Sequence, residues 1–171
     1  MAQVTIKAIK PKGFDERAFR RVIADALGDI EKGVLKDFEE TTETWKHQVK
    51  FEHGISITAR QARAFVETMD EIYRYVNDGT RPHRIPKTGN ANLRFKWGGK
   101  GSYRAKTKPG RLGSRPGGPN GPVVHRAWVQ HPGTDPRKFD EQLAKRWRGL
   151  IPRALNSAMS DAVKASGHAV P

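Results

Sequence analysis

The sequence predicts an α+β fold: an antiparallel sheet with helices packed on one face and a long basic Gly/Pro-rich β-hairpin loop. Three observations predict it. Apolar residues from Phe19 to Phe38 recur at three- and four-residue steps, the period of a buried helix face. Short runs elsewhere alternate apolar and polar, the period of a half-buried strand. Between Gly79 and Thr134 there is no Asp or Glu but 12 Lys and Arg, spread over two short apolar runs and the Gly/Pro-rich segment joining them.

Taken in order, Val4-Thr5-Ile6-Lys7-Ala8 reads as a first strand, closed by Pro11-Lys12-Gly13. Asp15 is placed to cap a long helix carrying Phe19, Val22, Ile23, Ala26, Leu27, Ile30, Val34, Leu35 and Phe38, with Gly28 and Gly33 as weak points. Trp45 to Glu52, then Ile55 and Ile57 beyond Gly54, read as a small hairpin. His47 and His53 within it have no partner pattern and read as surface residues. Thr58 is expected to cap a second helix with Ala64, Phe65, Met69, Ile72, Tyr73 and Val76 on one face, ended by Asn77-Asp78-Gly79. Pro82 and Pro86 hold residues 80–92 in an irregular connection. Leu93–Trp97 and Val123–Val129 are expected to pair as strands, and residues 98–122, with eight glycines and four prolines, to form the flexible basic loop. Asp135 and Pro136 suit the start of a last helix bearing Phe139, Leu143, Trp147, Leu150 and Ile151, kinked at Pro152, with Leu155, Met159, Ala162 and Val163 continuing its apolar face beyond the kink. Residues 165–171 read as a frayed tail, and residues 1–171 as one domain.

The charge is local. Residues 1–78 hold 13 basic and 14 acidic side chains, whereas the middle supplies most of the net +14. Such a patch suits nucleic acid, an acidic protein surface or an anionic membrane. The chain has no cysteine, which excludes disulfides, thiolate chemistry and cysteine-built zinc sites. Met1 to Lys7 lacks a long apolar run, so no secretory signal is expected. No stretch approaches the roughly 20 apolar residues of a membrane helix, so a soluble protein made in a cytoplasm is expected. No phosphate-binding Gly-Lys-Ser/Thr loop and no His-Glu-x-x-His helix occur. Asp37, Glu39, Glu40 and Glu43 read as a solvated helix face rather than a catalytic pair. His83, His125 and His131 fall in the middle region, but their spacing is poor support for a three-histidine metal site. The residues thus point to no catalytic group, metal or cofactor.

Two readings of the middle remain. Lys96, Lys100, Arg104, Lys106, Lys108, Arg111 and Arg115, with Trp97 and Tyr103 among them, form a basic loop facing a partner or DNA. Such an arm can neutralise phosphates without reading sequence, which makes a non-specific nucleic-acid-binding module over residues 96–115 the alternative function. A small basic nuclease using a His beside an Arg cluster is a more distant rival. Gly79-Thr80-Arg81-Pro82-His83 and His131-Pro132-Gly133-Thr134 flank the same hairpin and are expected to meet at its base, where turn chemistry alone accounts for Gly, Pro and Thr.

Those two motifs, with Tyr75-Val76-Asn77-Asp78 before the first, Leu93-Arg94-Phe95 between them and Phe139 after the second, resemble the phage tail-component proteins typified by gene product 10 of phage HK97. The resemblance covers roughly residues 45–150, and the insert at 98–122 is longer than the hairpin such proteins lead one to expect. It implies a non-catalytic α+β subunit of a ring homo-oligomer, a hexamer, at the head–tail junction of a virion. Its implied role is in the neck, in tail completion or as a tail terminator, against connector, stopper or tail-tube proteins. Genomic DNA in the channel would then face the basic arms, and no membrane is involved.

Overall fold

The computed structural model describes residues 13–58 and 61–168. The expected strand Val4–Ala8 lies outside them. The element order is α1 (Glu16–Thr42), β1 (Glu52–Ile57), β2 (Ala62–Glu67), α2 (Glu71–Asp78), β3 (His83–Pro86), β4 (Leu93–Lys96), β5 (Tyr103–Arg104), β6 (Gly118–Pro119), β7 (Val123–Arg126), β8 (Trp128–His131) and α3 (Phe139–Ala165). The class is α+β. In place of one sheet, however, the described strands make four two-stranded antiparallel sheets. No helix among the described residues is long and apolar enough to cross a membrane. The chain divides into two compact units.

The first unit takes in described residues up to Phe38, the segment Lys50–Thr68, and the chain from Leu143 onward. Asp15 caps α1 as its sequence position suggests: its Oδ1 accepts from the amides of Arg17 at 3.0 Å and Ala18 at 3.1 Å. The apolar stripe of α1 buries Ile23, Leu27 and Ile30 against Leu155, Ala158 and Ala162 of α3, with Ile57, Ala62 and Ala64 of the β1–β2 hairpin packed alongside. Pro152 sits inside α3, which runs through it as one helix. Asp37 is buried; its Oδ2 accepts from Trp147 Nε1–H at 2.8 Å and its Oδ1 pairs with Arg146 at 3.0 Å. This ties α1 to α3 by a charge-assisted bond where the indole closes over Gly33.

The hairpin is displaced from its expected position. Residues 45–51 are not strand, Gly54 lies inside β1 opposite Phe65, and the return strand is β2, which had read as helix. Thr58 does cap, but it caps a turn. Its Oγ1 accepts from the Gln61 amide at 3.1 Å while its own amide donates to Gln61 O at 2.8 Å, and the chain reverses there. His53 is not partnerless either, since its Nδ1 meets the carboxylate of buried Glu31.

The second unit comprises Glu39–Val49 and Met69–Gln142. Its helix α2 is short because the true cap is Asp70, whose side chain accepts from the Tyr73 amide at 2.8 Å and also meets His47. Burial acts to raise the Asp70 pKa, but the His47 bond, the Tyr73 amide and the His47 charge together hold it below the ordinary carboxylate value. Tyr73 is buried beside Trp45 and Phe139, with ring centroids at 6.3 and 5.8 Å. Burial pushes its phenol far above its usual range. Asp135 and Pro136 do not start α3. The helix begins at Phe139, and its cap comes from α2: Asn77 Oδ1 accepts from the Phe139 amide at 2.7 Å and the Asp140 amide at 3.4 Å.

The remainder of this unit is one interrupted ribbon. His83–Pro86 pairs with Trp128–His131, so the connection expected at 80–92 contains a strand. Leu93–Lys96 pairs with Val123–Arg126, the expected hairpin, and Tyr103–Arg104 pairs with Gly118–Pro119. The single strand expected over 123–129 is broken at Ala127, whose carbonyl accepts from the Lys87 amide at 2.8 Å. Residues 87–92 face only that one residue on the opposite limb, so the register shifts between the two pairings.

Candidate functional site: the ribbon base and basic arm

The two motifs meet. Thr80 and Thr134 exchange both backbone hydrogen bonds at 3.0 Å, next to the β3–β8 pair. The glycines are explained by this crossing. Gly79 has φ +77°, and a Cβ there would lie 2.6 Å from Thr134 O; Gly133 has φ +92°, and a Cβ there would run into Thr80 O. A side chain at either would therefore force the limbs apart. Arg81 and Pro132 are exposed beside them, and Thr80 Oγ1 is buried without a partner among the described residues.

His83 and His131 face each other across the ribbon, ring centroids 5.0 Å apart. Their hydrogen bonds fix opposite tautomers. His83 Nδ1–H donates to Arg81 O at 2.8 Å, whereas His131 Nδ1 accepts from the Gly133 amide at 3.1 Å. Burial, followed by the neighbouring His83, lowers the His131 pKa and favours the neutral form of that ring. His125 is elsewhere on the ribbon, opposite Arg94. Among the described residues no group of three or more His, Cys, Asp or Glu is placed to hold a metal ion.

The seven basic residues of the arm separate into two kinds. Lys106 and Arg115 are half-buried and structural. Lys106 Nζ donates to Thr44 O, and Arg115 Nε donates to Ala105 O at 3.4 Å. Ser114 between them donates to Glu40 O and accepts from the Thr44 amide, both at 3.1 Å, while Thr44 Oγ1 donates to Arg115 O at 3.1 Å. Thr107 is buried and accepts from Arg137 Nε at 3.2 Å. By contrast, Lys96, Lys100, Arg104, Lys108 and Arg111 are exposed and make no ion pair among the described residues. Trp97 and Tyr103 are exposed with them, by 48% and 60%. One ribbon feature escaped the sequence reading: Arg84 stacks on Trp128, 4.5 Å from its ring centre, a diagonal pair across the directly paired strands β3 and β8 whose only local sign was an aromatic next to a basic strand.

The two acid–imidazole pairs, His47 with Asp70 and His53 with Glu31, make no other hydrogen bond or ion pair through the imidazole among the described residues. Neither has the hydroxyl or thiol that a nucleophilic triad needs. The arrangement is suited to contact: an exposed, flexible-stemmed set of cations on a narrow two-stranded support. No family model, no curated protein and no solved structure matches the chain.

Proposed function

We propose that this chain is a structural subunit of a phage virion, a ring-forming protein of the head–tail junction that joins the tail tube to the head connector in neck assembly, tail completion or tail termination. It is assembled in the host cytoplasm and acts without catalysis or cofactor. Its long basic Gly/Pro-rich hairpin loop faces a neighbouring protein or the DNA channel. The observation that carries this reading is the junction of the two motifs that resemble the tail-component family at the base of a ribbon with two open edges. Every described strand pairs on one side only, so rows of backbone N–H and C=O groups are left for a neighbouring chain. A lone two-stranded ribbon is marginal in water, and lateral partners remedy that.

The test is assembly. Purified protein examined by analytical ultracentrifugation and electron microscopy is expected to form closed rings, with a mass about six times 19.2 kDa for a hexamer. A protein that stays monomeric at all concentrations and joins no tail or neck particle overturns the reading.

The second reading, a non-specific nucleic-acid-binding module, is favoured by the five exposed cations with Trp97 and Tyr103 among them. A salt titration of duplex binding decides it. Five phosphate contacts give a log–log slope of at most about 4.5, and a flat dependence removes the idea.

A further inference from the structure

The first unit has a groove that none of its own described residues fills. It is about 470 Å³ and lies between α1 and α3. Its floor is apolar, formed by Val22, Ile30, Trp147 and Ala158. Its rim is acidic: Asp25 and Asp29 stand one turn apart on α1, and Asp161 on α3. Among the described residues no basic side chain lines it. Asp161 pairs with Lys164 at 3.5 Å, while Asp25 and Asp29, both exposed, have no ion-pair partner among the described residues.

The occupant it fits combines aromatic or aliphatic surface with flanking cations. The chain contains such a segment. Lys96-Trp97 and Lys100, followed by Tyr103-Arg104, place two exposed aromatics among three exposed cations within nine residues. The 79–134 segment has no acidic side chain that would repel the rim. The groove is within the roughly 300–1,000 Å³ range of pockets that hold a compact ligand, which accommodates an aromatic ring and the alkyl stem of a neighbouring lysine.

We infer that the α1–α3 groove is the socket for the basic arm of a second copy of this chain, Trp97 or Tyr103 entering the apolar floor and Lys96, Lys100 and Arg104 meeting Asp25 and Asp29. The contact is heterologous: one surface of each subunit engages a different surface of the next. Repeated, such a contact closes into a ring or runs on as a filament. The inference rests on the ring reading and specifies which surfaces make the ring. It also accounts for the separation of charge along the chain, since the acidic rim and the acid-free arm are complementary and attract at long range.

Native mass spectrometry and analytical ultracentrifugation of the full chain test it, with circular dichroism confirming the fold of each variant. The wild type is expected to assemble and to dissociate as salt rises. Asp25→Lys with Asp29→Lys is expected to yield 19.2 kDa monomers. So is Lys96→Glu with Lys100→Glu and Arg104→Glu. An equimolar mixture of the two variants, each with one reversed surface, is expected to recover rings in which they alternate. The milder Asp25→Asn with Asp29→Asn variant, which leaves α1 unburdened by added charge, is expected to weaken assembly at least tenfold. If the wild type forms rings and the Lys and Asn variants form the same rings with the same salt dependence, the socket is wrong and the ring reading stands. If the wild type never assembles, both fall.

Discussion

Gly28 and Gly33 lie on the same helix, and the structure predicts opposite outcomes for placing alanine at each. In a helix interior alanine is favoured over glycine by about 1 kcal/mol. A Cβ at Gly28 would meet nothing within 4 Å among the described residues, so Gly28→Ala is expected to keep that gain. A Cβ at Gly33 would lie 2.5 Å from Trp147 Cη2 and 2.9 Å from Cζ2, well inside the ~3.5–4.0 Å of an ordinary carbon contact. The indole cannot retreat freely, because its Nε1–H is bonded at 2.8 Å to buried Asp37, which also pairs with Arg146. Overpacking of this kind costs about 1–3 kcal/mol, and losing a hydrogen bond to a charged group about 1.5–3 kcal/mol. Setting the ~1 kcal/mol alanine gain against these leaves Gly33→Ala about 1.5–5 kcal/mol less stable. At about 2–4 °C per kcal/mol for a chain of this size, thermal unfolding followed by circular dichroism should place Gly28→Ala above the wild type and Gly33→Ala about 3–20 °C below it. The penalty at Gly33 should shrink by more than about 0.5 kcal/mol in a Trp147→Phe background, where the ring is smaller and the bond already gone. A Gly33→Ala protein as stable as Gly28→Ala would refute the close packing of indole on helix.

Three further outcomes follow from the second unit. Asn77→Ala should destabilise by about 1–3 kcal/mol in urea unfolding, because the buried Phe139 amide loses its 2.7 Å acceptor. Gly133→Ala should cost more than Gly89→Ala: both glycines have positive φ, a penalty of about 1–2 kcal/mol for alanine, but only at Gly133 does the new Cβ meet the Thr80 carbonyl. For His131 the sign follows from a folded pKa below the unfolded value near 6.5. As pH falls through about 6.5 the unfolded chain takes up the proton first, so stability is full above that pH and declines below it. Asn in place of His131 keeps an acceptor for the Gly133 amide, and should flatten the stability profile between about pH 5.5 and 7.

The legible parts of the fold were those whose cause is local. The α1 stripe spans many turns of one period, Asp15 caps three residues from its target, and Leu93–Lys96 and Val123–Arg126 alternate cleanly enough to be paired. The misreading at 58–70 has a physical source. Ala62 to Glu67 is a six-residue apolar-rich run, too short for periodicity to separate strand from helix, and Thr58 serves as well to close a turn as to cap a helix. The start of α3 was misplaced because its cap is 62 residues away in sequence, at Asn77, which read as a helix stop. The same holds at the site. Glycine and threonine at the ribbon base were visible as motifs, but which arm cations are spent on structure was not. Lys106 and Arg115 differ from Lys96 and Lys100 only through Thr44 and Ala105, the first of which is distant in the chain.

The distribution of buried surface carries the last prediction. The first unit buries Ile23, Leu27, Ile30, Leu143, Leu155, Ala158 and Ala162, whereas the second, among its described residues, buries only Tyr73 and Phe139 of its hydrophobic side chains. Two buried aromatics are little apolar burial to set against the conformational entropy of ordering a Gly/Pro-rich ribbon. Leu93, Phe95 and Val124 are only half-buried on one ribbon face, and Val123 is exposed on the other. The ribbon should therefore open locally at much lower cost than the α1–α3 core, and a partner chain should supply what it lacks. Hydrogen exchange is expected to be fast for β4 and β7 amides in dilute protein and to slow at least tenfold on assembly, with α1 amides near Ile23 and Leu27 protected in both states. Equal protection of ribbon and core in a monomeric sample would mean that the ribbon sustains itself, and the physical case for its needing a neighbour would be lost.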